Sequence, residues 1–538
     1  MAHRRLPGLP QGMTTVPLRE LADSAHPVIV RGRHILCGID GDDRAELHAG
    51  GALLVSGGRI AEFGSFEQLS MAYPGAEVFG SAGDIVMPGL VNAHHHTGLT
   101  PLQHGTPFLP LELWLPRFIG WRTVDPYLDT LYSAMEMVES GVTTVQHIHG
   151  GPTGPREGWL ATPDAIMRAY RDIGMRASYS FMWRDRNRFV YGAQEAFLAS
   201  LPAELRQPLE GMIAGSPSSI GELTAHFEAL HDRFGTAEDG LSCVQLAPAN
   251  LQWCTLESLV AQRKLAERYD VGLHMHLLET PYQRHFAAMD TGGTAVRHLA
   301  DLGLLGPKMT IGHGIWCTEA DIDLLAKTGT CICHNASSGL RLRSGVAPVK
   351  EFQQAGIRVA LGIDQAGIND DRDMLQEMRV AWNLQRSPGH DFEPLSERQI
   401  FRMATENGAA TTGFGRSIGR LEVGRAADIV IVDGALLRRP YLDGDTDIVS
   451  ALVQRAKCGM IRDVLIDGRP VLSDGKITAI DKEVVLAELE ASLQRPPSEA
   501  ERARRALATA LHPYLQAFYQ DWPMPAPEAS FHSFNARY

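Results

Sequence analysis

The chemistry-bearing residues begin with His94 and His96, in the stretch MPGLVNAHHHT. In an extended chain, alternate residues face the same side, so these two imidazoles converge and His95 points away. Alone, a His-x-His pair is half of a metal site. The rest is supplied further along: HMHLLET holds His274, His276 and Glu279, IGHG holds His313, and LGID holds Asp364. Each group stands at the C-terminal end of an apolar, strand-like run. Ionisable groups in such places are costly unless paired or metal-bound. Imidazoles with a carboxylate are a donor set for a divalent transition ion. Such an ion lowers the pKa of bound water from about 16 toward 7, which makes a nucleophile.

The elements that position these groups follow an alternating pattern. Strand-like runs fall at 84–91, 142–147, 175–181, 241–247, 271–276, 308–312, 329–333 and 357–363, and helical stretches at 126–140, 163–172, 255–269, 319–327 and 349–356. Eight strands alternating with helices predict an α/β fold, a distorted (β/α)8 TIM barrel, whose strand ends share one mouth. A doubly wound open sheet is the alternative, disfavoured because no Gly-rich dinucleotide fingerprint follows any of these strands. An insertion at 184–219 reads as a long loop on the substrate side. Short β runs with Gly-rich turns, including a hairpin turn at Gly57–Gly58, occupy 27–83 and return in 417–481. The two stretches predict a flanking β-sandwich built from N- and C-terminal segments. The expected organisation is therefore an extension at 1–26, an N-terminal sandwich segment at 27–83, the barrel at 84–416, a C-terminal sandwich segment at 417–481, and a helical C-terminal extension at 482–538. Within that extension, helices are expected at 483–494 and 497–518, and the aromatic, Pro-rich tail 520–538 reads as a surface clasp or subunit contact.

Composition narrows the class. The 538 residues carry a net charge of −13, with 44% hydrophobic and 21% charged residues. The acidic balance argues against nucleic acid as a partner. No apolar run reaches the ~20 residues of a membrane helix, and the N-terminus lacks the apolar core of an export signal. Seven scattered cysteines fit free thiols in a reducing cytoplasm. Cys331 and Cys333 share one face of an apolar strand, which reads as core packing.

PGLVNAHHH, HMHLLET, IGHG, LGID and GRLEVGRAADIVIVD together resemble the amidohydrolase superfamily, in the branch of cytosine deaminase, guanine deaminase and triazine hydrolase. The resemblance covers about residues 50–475. It implies the same barrel with a flanking β-sandwich, and it implies His94, His96, His276 and Asp364 as metal ligands. Glu279 matches the family's acid/base glutamate, and His313 the histidine that binds the metal or hydrogen-bonds the attacking water. His274, on the same side as His276, is a rival ligand. Two-metal members use a carboxylated lysine at the end of strand four; here that stretch, LSCVQLAPAN, has no lysine, so one divalent metal per chain is expected, Zn2+ first and Fe2+ second. The implied reaction is attack of metal-activated water on a ring carbon of a nitrogen heterocycle. Asp364 accepts a proton, Glu279 protonates the ring nitrogen and then the leaving amine, and His313 steadies the tetrahedral centre.

Substrate contacts are expected from Gln103 and His104, and from Trp114 of LELW, which resembles a pocket-lining loop of the family; a packed aromatic is the other reading. His147 and His149 end the second strand. Arg184, with Arg186 and Arg188 at i+2 and i+4, presents a cationic edge to an anionic substrate or else a solvated loop face. The segment HNASSGLRLRSG departs from relatives at Ser338–Gly339. Nucleoside-type deaminases of the branch carry Gly-Pro-His after strand four, and Ala247-Pro248-Ala249-Asn250 here argues against adenosine-like substrates. The reading is thus a deaminase of a small-molecule nitrogen heterocycle, with homo-oligomers expected from the resemblance. Amide, urea-like or halide hydrolysis is the alternative, and a non-catalytic assembly protein the third.

Overall fold

The computed structural model describes residues 26–96, 98–216, 219–235, 240–386 and 395–522. The predicted 1–26 extension, save His26, and the tail beyond Trp522 lie outside them. The inner strands form two four-stranded parallel sheets. The first has the order Ser242–Val244, Arg176–Trp183, Val142–His149, Leu90–His95, and the second Leu273–Leu277, Met309–His313, Cys331–His334, Val359–Leu361. Ala247–Pro248 extends the fourth strand and pairs with Met182 and Trp183. The two sheets touch through isolated parallel bridges at Leu246 with Leu273 and His95 with Asp364. Backbone bonds mark both junctions: His274 N donates to Leu246 O at 2.9 Å and Asp364 N to His94 O at 2.8 Å. The result is an α/β fold with parallel strands.

Both faces of these runs are buried, as in a parallel sheet covered by helices; Val142–Ile148, for example, is buried at every position. The crossing helices carry their own start signals. Asp125 caps Pro126–Glu139 by accepting from Tyr127 N and Leu128 N. Thr255 caps Leu256–Tyr269, and Thr318 with Asp321 forms a capping box on Glu319–Thr328.

Two sequence expectations change. The run at 84–91 is two strands. Ile85–Pro88 pairs antiparallel with Ile429–Val432 and parallel with His34–Ile39, while Leu90–His95 belongs to the inner sheet. The chain crosses between sheets at Gly89, where a Cβ would lie 2.1 Å from Thr143 Oγ1. The insertion at 184–219 is not a plain loop. It folds helices Gln194–Ser200 and Ala203–Ala214, burying Phe197, Leu198 and Leu209. Pro202 and Pro208 hide that pattern from a sequence reading; Pro202 is the N-cap and Pro208 is tolerated within the helix.

Outside the inner strands, a four-stranded sheet (Arg59–Ser65, Gly51–Ser56, Val28–Arg31, Glu77–Phe79) and a seven-stranded sheet share one apolar cluster. The larger sheet draws on both chain ends, from His34–Ile39 to Ile461–Ile466. Val28, Val30, Leu53 and Val55 of one sheet meet Ile35, Val86, Ile429 and Leu465 of the other. Gly57 and Gly58, at φ 57° and 75°, form the hairpin turn between Gly51–Ser56 and Arg59–Ser65. A buried bidentate pair, Arg176 Nε and Nη2 to Asp428 at 2.9 Å each, ties the inner strands to this layer.

The C-terminal helices Lys482–Gln494 and Glu499–Gln520 pack back onto Pro126–Glu139 and the turn Leu115–Gly120. All seven cysteines are free thiols. Among the described residues no helix is long and apolar enough to cross a membrane.

Candidate metal centre

The C-terminal ends of four inner strands bring His94, His96, His276, His313, Glu279 and Asp364 together, all buried. The Nε2 atoms of His94 and His96 are 3.0 Å apart, and those of His96 and His276 are 3.2 Å apart. Asp364 Oδ1 lies 3.3 Å from His96 Nε2 and 3.8 Å from His94 Nε2. His313 Nε2 stands 3.6 Å from Glu279 Oε2 and 3.9 Å from Asp364 Oδ2.

The outward ring nitrogens fix the tautomers of His96 and His276, which face carbonyl oxygens. His96 Nδ1 donates to Ile148 O at 2.6 Å and His276 Nδ1 to Ala249 O at 2.9 Å. Their Nε2 atoms therefore present bare lone pairs. A 2.9 Å bond joins His94 Nδ1 to His274 Nε2; with His94 as donor, its Nε2 is bare as well. Lone pairs packed this closely, beside a carboxylate, repel unless a cation lies among them. His313 Nε2 has no hydrogen-bond partner among the described residues. This donor set fits a divalent metal ion.

Electrostatics agree with that fit. Burial, then the neighbouring imidazoles, pushes His94 and His276 well below the usual histidine range, so both stay neutral as ligands must. Burial takes His313 down to about 4. Burial opposes the charge of Asp364, but the neighbouring His96, His313 and Ser338 together outweigh it, and the carboxyl is held low. Burial pushes Glu279 the other way, well above the carboxylate range, and the charges of Asp364 and Glu112 add to it. This direction favours the acid form that a proton donor needs.

Backbone geometry positions these side chains. Leu278, His313 and Asp364 adopt φ of 53°, 76° and 62°, the left-handed region that non-glycine residues rarely take. Each of these turns lies at or just beyond the end of an inner strand. Gly362 packs against the first strand: a Cβ there would lie 2.5 Å from His94 Cβ and 2.5 Å from Asn335 Oδ1. Gly362→Ala is expected to displace His94, to lower metal content, and to destabilise the fold by about 1–3 kcal/mol, the usual range for overpacking. Metal analysis and denaturant unfolding of the purified variant check it.

The other residues singled out from sequence fall in different places. His95 turns away, its Nε2 3.3 Å from Ser133 Oγ. His274 stands behind His94. A grouping of His94, His274 and Cys333 is also compact, but the His94–His274 contact is a ring-to-ring hydrogen bond. Burial keeps Cys333 a neutral thiol.

Trp114 is buried and lines a small recess with Phe108, Ser338, Arg341 and Gln365. His149, pushed down to about 4 by burial, lines a second recess with Tyr179 and His226. Arg184 lines a cavity of about 580 Å³, its guanidinium 3.9 Å over the Trp253 ring. Arg188 lines it too, whereas Arg186 is paired with Asp290 at 2.8 Å, so the three arginines do not form one edge.

The structure does not bring Gln103 to the cluster. Its amide oxygen accepts from Thr100 N and its amide nitrogen donates to Tyr132 Oη. With His104 it lines a separate cavity of about 590 Å³ against Leu486, Leu489 and Arg505. Its hydrogen-bonding capacity is spent on holding its own loop.

Sequence reasoning missed Glu112. This carboxylate is buried and lines the 580 Å³ cavity. Its Oε1 accepts from Tyr191 Oη at 2.9 Å and from Thr280 Oγ1 at 2.5 Å, and its Oε2 has no partner among the described residues. Thr280 follows Glu279 in the chain, and the Glu112 charge is among those that raise Glu279, which links this cavity wall to the cluster. The available signal was a lone acidic residue inside the apolar run LELWLP.

The chain matches the model for the amidohydrolase family over residues 85–471. It is 31% identical over 414 residues to a 5-methylthioadenosine/S-adenosylhomocysteine deaminase of Moorella thermoacetica, covering 76% of this chain and 86% of that protein. It is 30% identical over 448 residues to a 5'-deoxyadenosine deaminase of Methanothermobacter thermautotrophicus, covering 82% and 94%. The crystal structure of an adenosine deaminase from Xanthomonas campestris with bound zinc superposes with a TM-score of 0.73 at 26% identity, covering 87% of this chain and 98% of that one.

Proposed function

The chain belongs to the amidohydrolase family, and from that premise we propose that it is a metal-dependent deaminase which releases ammonia from a nitrogen heterocycle. One observation carries the reading: the Nε2 atoms of His94, His96 and His276 and the Asp364 carboxylate converge beside Glu279, whose carboxyl burial pushes well above the usual carboxylate range. His94, His96, His276 and Asp364 would hold one ion, Zn2+ first and Fe2+ second. When bound, that ion supplies the Lewis acidity that lets a water lose its proton near neutral pH.

The chain's own residues do the rest. Asp364 accepts the proton of the attacking water. Glu279 gives its proton to the ring nitrogen as the water oxygen bonds to the ring carbon; it then takes the proton remaining on that oxygen and hands it to the amine, which leaves as ammonia as the C–N bond breaks, and the proton held by Asp364 returns Glu279 to its acid form. His313, neutral and unpartnered at Nε2, steadies the oxygen of the tetrahedral centre. Trp114, His149 and Arg184 remain the proposed substrate contacts, and Glu112 joins them.

The same reading closes the eight inner strands into a distorted (β/α)8 barrel over 84–416. The two isolated bridges between the parallel sheets support it. The apolar cluster shared by the outer sheets supports a flanking β-sandwich from 27–83 and 417–481, with the helical extension beyond it. Seven free thiols in an acidic chain support a reducing, cytoplasmic setting. The homo-oligomer rests on family resemblance alone.

All three relatives named above are deaminases of adenosine-type nucleosides, so other leaving groups are not favoured. These names weigh against the expectation drawn from Ala249, and adenosine-type nucleosides belong on the test panel. The test is ammonia release by zinc- or iron-loaded protein from aminated purines, pyrimidines, pterins, triazines and their nucleosides. Release from at least one is expected. Silence across the panel, with metal confirmed at one equivalent, would reject deamination.

A further inference from the structure

The cavity beside the cluster has three walls from distant regions of the chain. The stretch after the first inner strand gives Glu112 and Leu115, the insertion after the third gives Arg184 and Tyr191, and the C-terminal helix Glu499–Gln520 gives Tyr519. That helix lies beyond residue 471, where the family match ends. Tyr519 is buried yet lines the cavity, and its Oη accepts from Tyr191 N at 3.1 Å. Tyr191 Oη in turn donates to Glu112 Oε1 at 2.9 Å, and Thr280 Oγ1 donates to the same oxygen. Both donors therefore hold one carboxylate oxygen and leave the other, Oε2, unpartnered.

Rings brace the arrangement. Tyr519 packs edge to face on Tyr191 at 5.6 Å and on Tyr282 at 5.4 Å, and Trp522 closes behind at 5.3 Å. Packing alone would need the rings but neither hydroxyl. A buried carboxylate with one satisfied oxygen and no cation on it is costly to keep unless a bound molecule supplies donors to the other.

We infer that the C-terminal helix is a working wall of the substrate cavity, with Tyr519 and Tyr191 as positioning residues that fix Glu112 for the portion of the substrate beyond the reacting ring. The inference rests on the deaminase reading. A cavity of about 580 Å³ has room for more than one ring, so the wall selects a substituted heterocycle over the bare base.

The test compares a nucleoside with its free base, from the panel above, on zinc-loaded wild type, Tyr519→Phe and Tyr191→Phe. Each variant keeps its ring and loses one hydroxyl. The ratio of kcat/KM for nucleoside to that for base should fall about tenfold in each variant, the weight of one hydrogen bond, mostly through KM. Unchanged ratios, or equal losses on both substrates with a lowered melting temperature, would overturn the inference and leave a packing role. If wild type releases ammonia from neither, deamination fails separately. Calorimetric Kd values on the same proteins then decide: selective weakening of nucleoside binding supports the wall, and equal or absent binding overturns it.

Discussion

Glu279→Gln is expected to keep its metal and lose most of its turnover, by about 10²- to 10⁴-fold in kcat. The substitution preserves size and hydrogen-bonding atoms but cannot carry a transferable proton. Glu279 is not one of the four proposed ligands, and its backbone N donates to Gln283 Oε1 at 2.8 Å, a bond the variant retains. Metal content should therefore stay at the wild-type value while ammonia release collapses. The loss should fall on kcat and kcat/KM together, because the proton is needed in the transition state rather than in ground-state binding. Burial, with the charges of Asp364 and Glu112, pushes the Glu279 carboxyl well above the usual carboxylate range. The neutral amide of glutamine is then a close electrostatic match for the acid it replaces. Near wild-type ammonia release by a metal-replete variant would remove Glu279 from the mechanism. Joint loss of metal and activity would assign it to the metal shell instead.

The convergence at the strand ends was legible in the sequence for a simple reason. Strand alternation fixes which residues share a face, and the end of a parallel strand fixes where they point, so His94, His96, His276, His313 and Asp364 can be placed without tertiary knowledge. The cavity wall was not legible. Glu112 meets Thr280 across 168 residues and Tyr191 meets Tyr519 across 328, and no local pattern encodes such partners. Gln103 shows the opposite case: it is near the histidines in sequence, but its amide bonds to Thr100 and Tyr132 and it lines a different cavity. The run 84–91 was read as one strand because hydrophobicity is continuous through Gly89. The change of sheet there is decided by the close approach of Thr143, which leaves no trace in periodicity.

Metal removal should have the second large effect. Chelator-treated protein is expected to lose ammonia release completely and to recover it with Zn2+ or Fe2+ at one equivalent per chain. The rings are held by bonds that do not involve the ion: His96 and His276 are anchored through Nδ1 to the carbonyls of Ile148 and Ala249, and His94 through His274. Binding then costs little rearrangement and relieves the repulsion of three facing lone pairs. The ion should stabilise the fold by about 2.7 kcal/mol at a hundredfold excess over its Kd, read as a rise in the unfolding midpoint. His276→Ala removes one ligand and should lower both metal content and activity. Cys333→Ala sets the grouping of His94, His274 and Cys333 apart from the proposed one: if the ion sits among His94, His96, His276 and Asp364, this variant keeps one equivalent, since the Cys333 thiol belongs to the other grouping. Two equivalents in an active preparation would refute the single-metal reading. Metal loss in Cys333→Ala matched by retention in His276→Ala would instead refute the ligand assignment, because the donor set would then lie on the other face of His94.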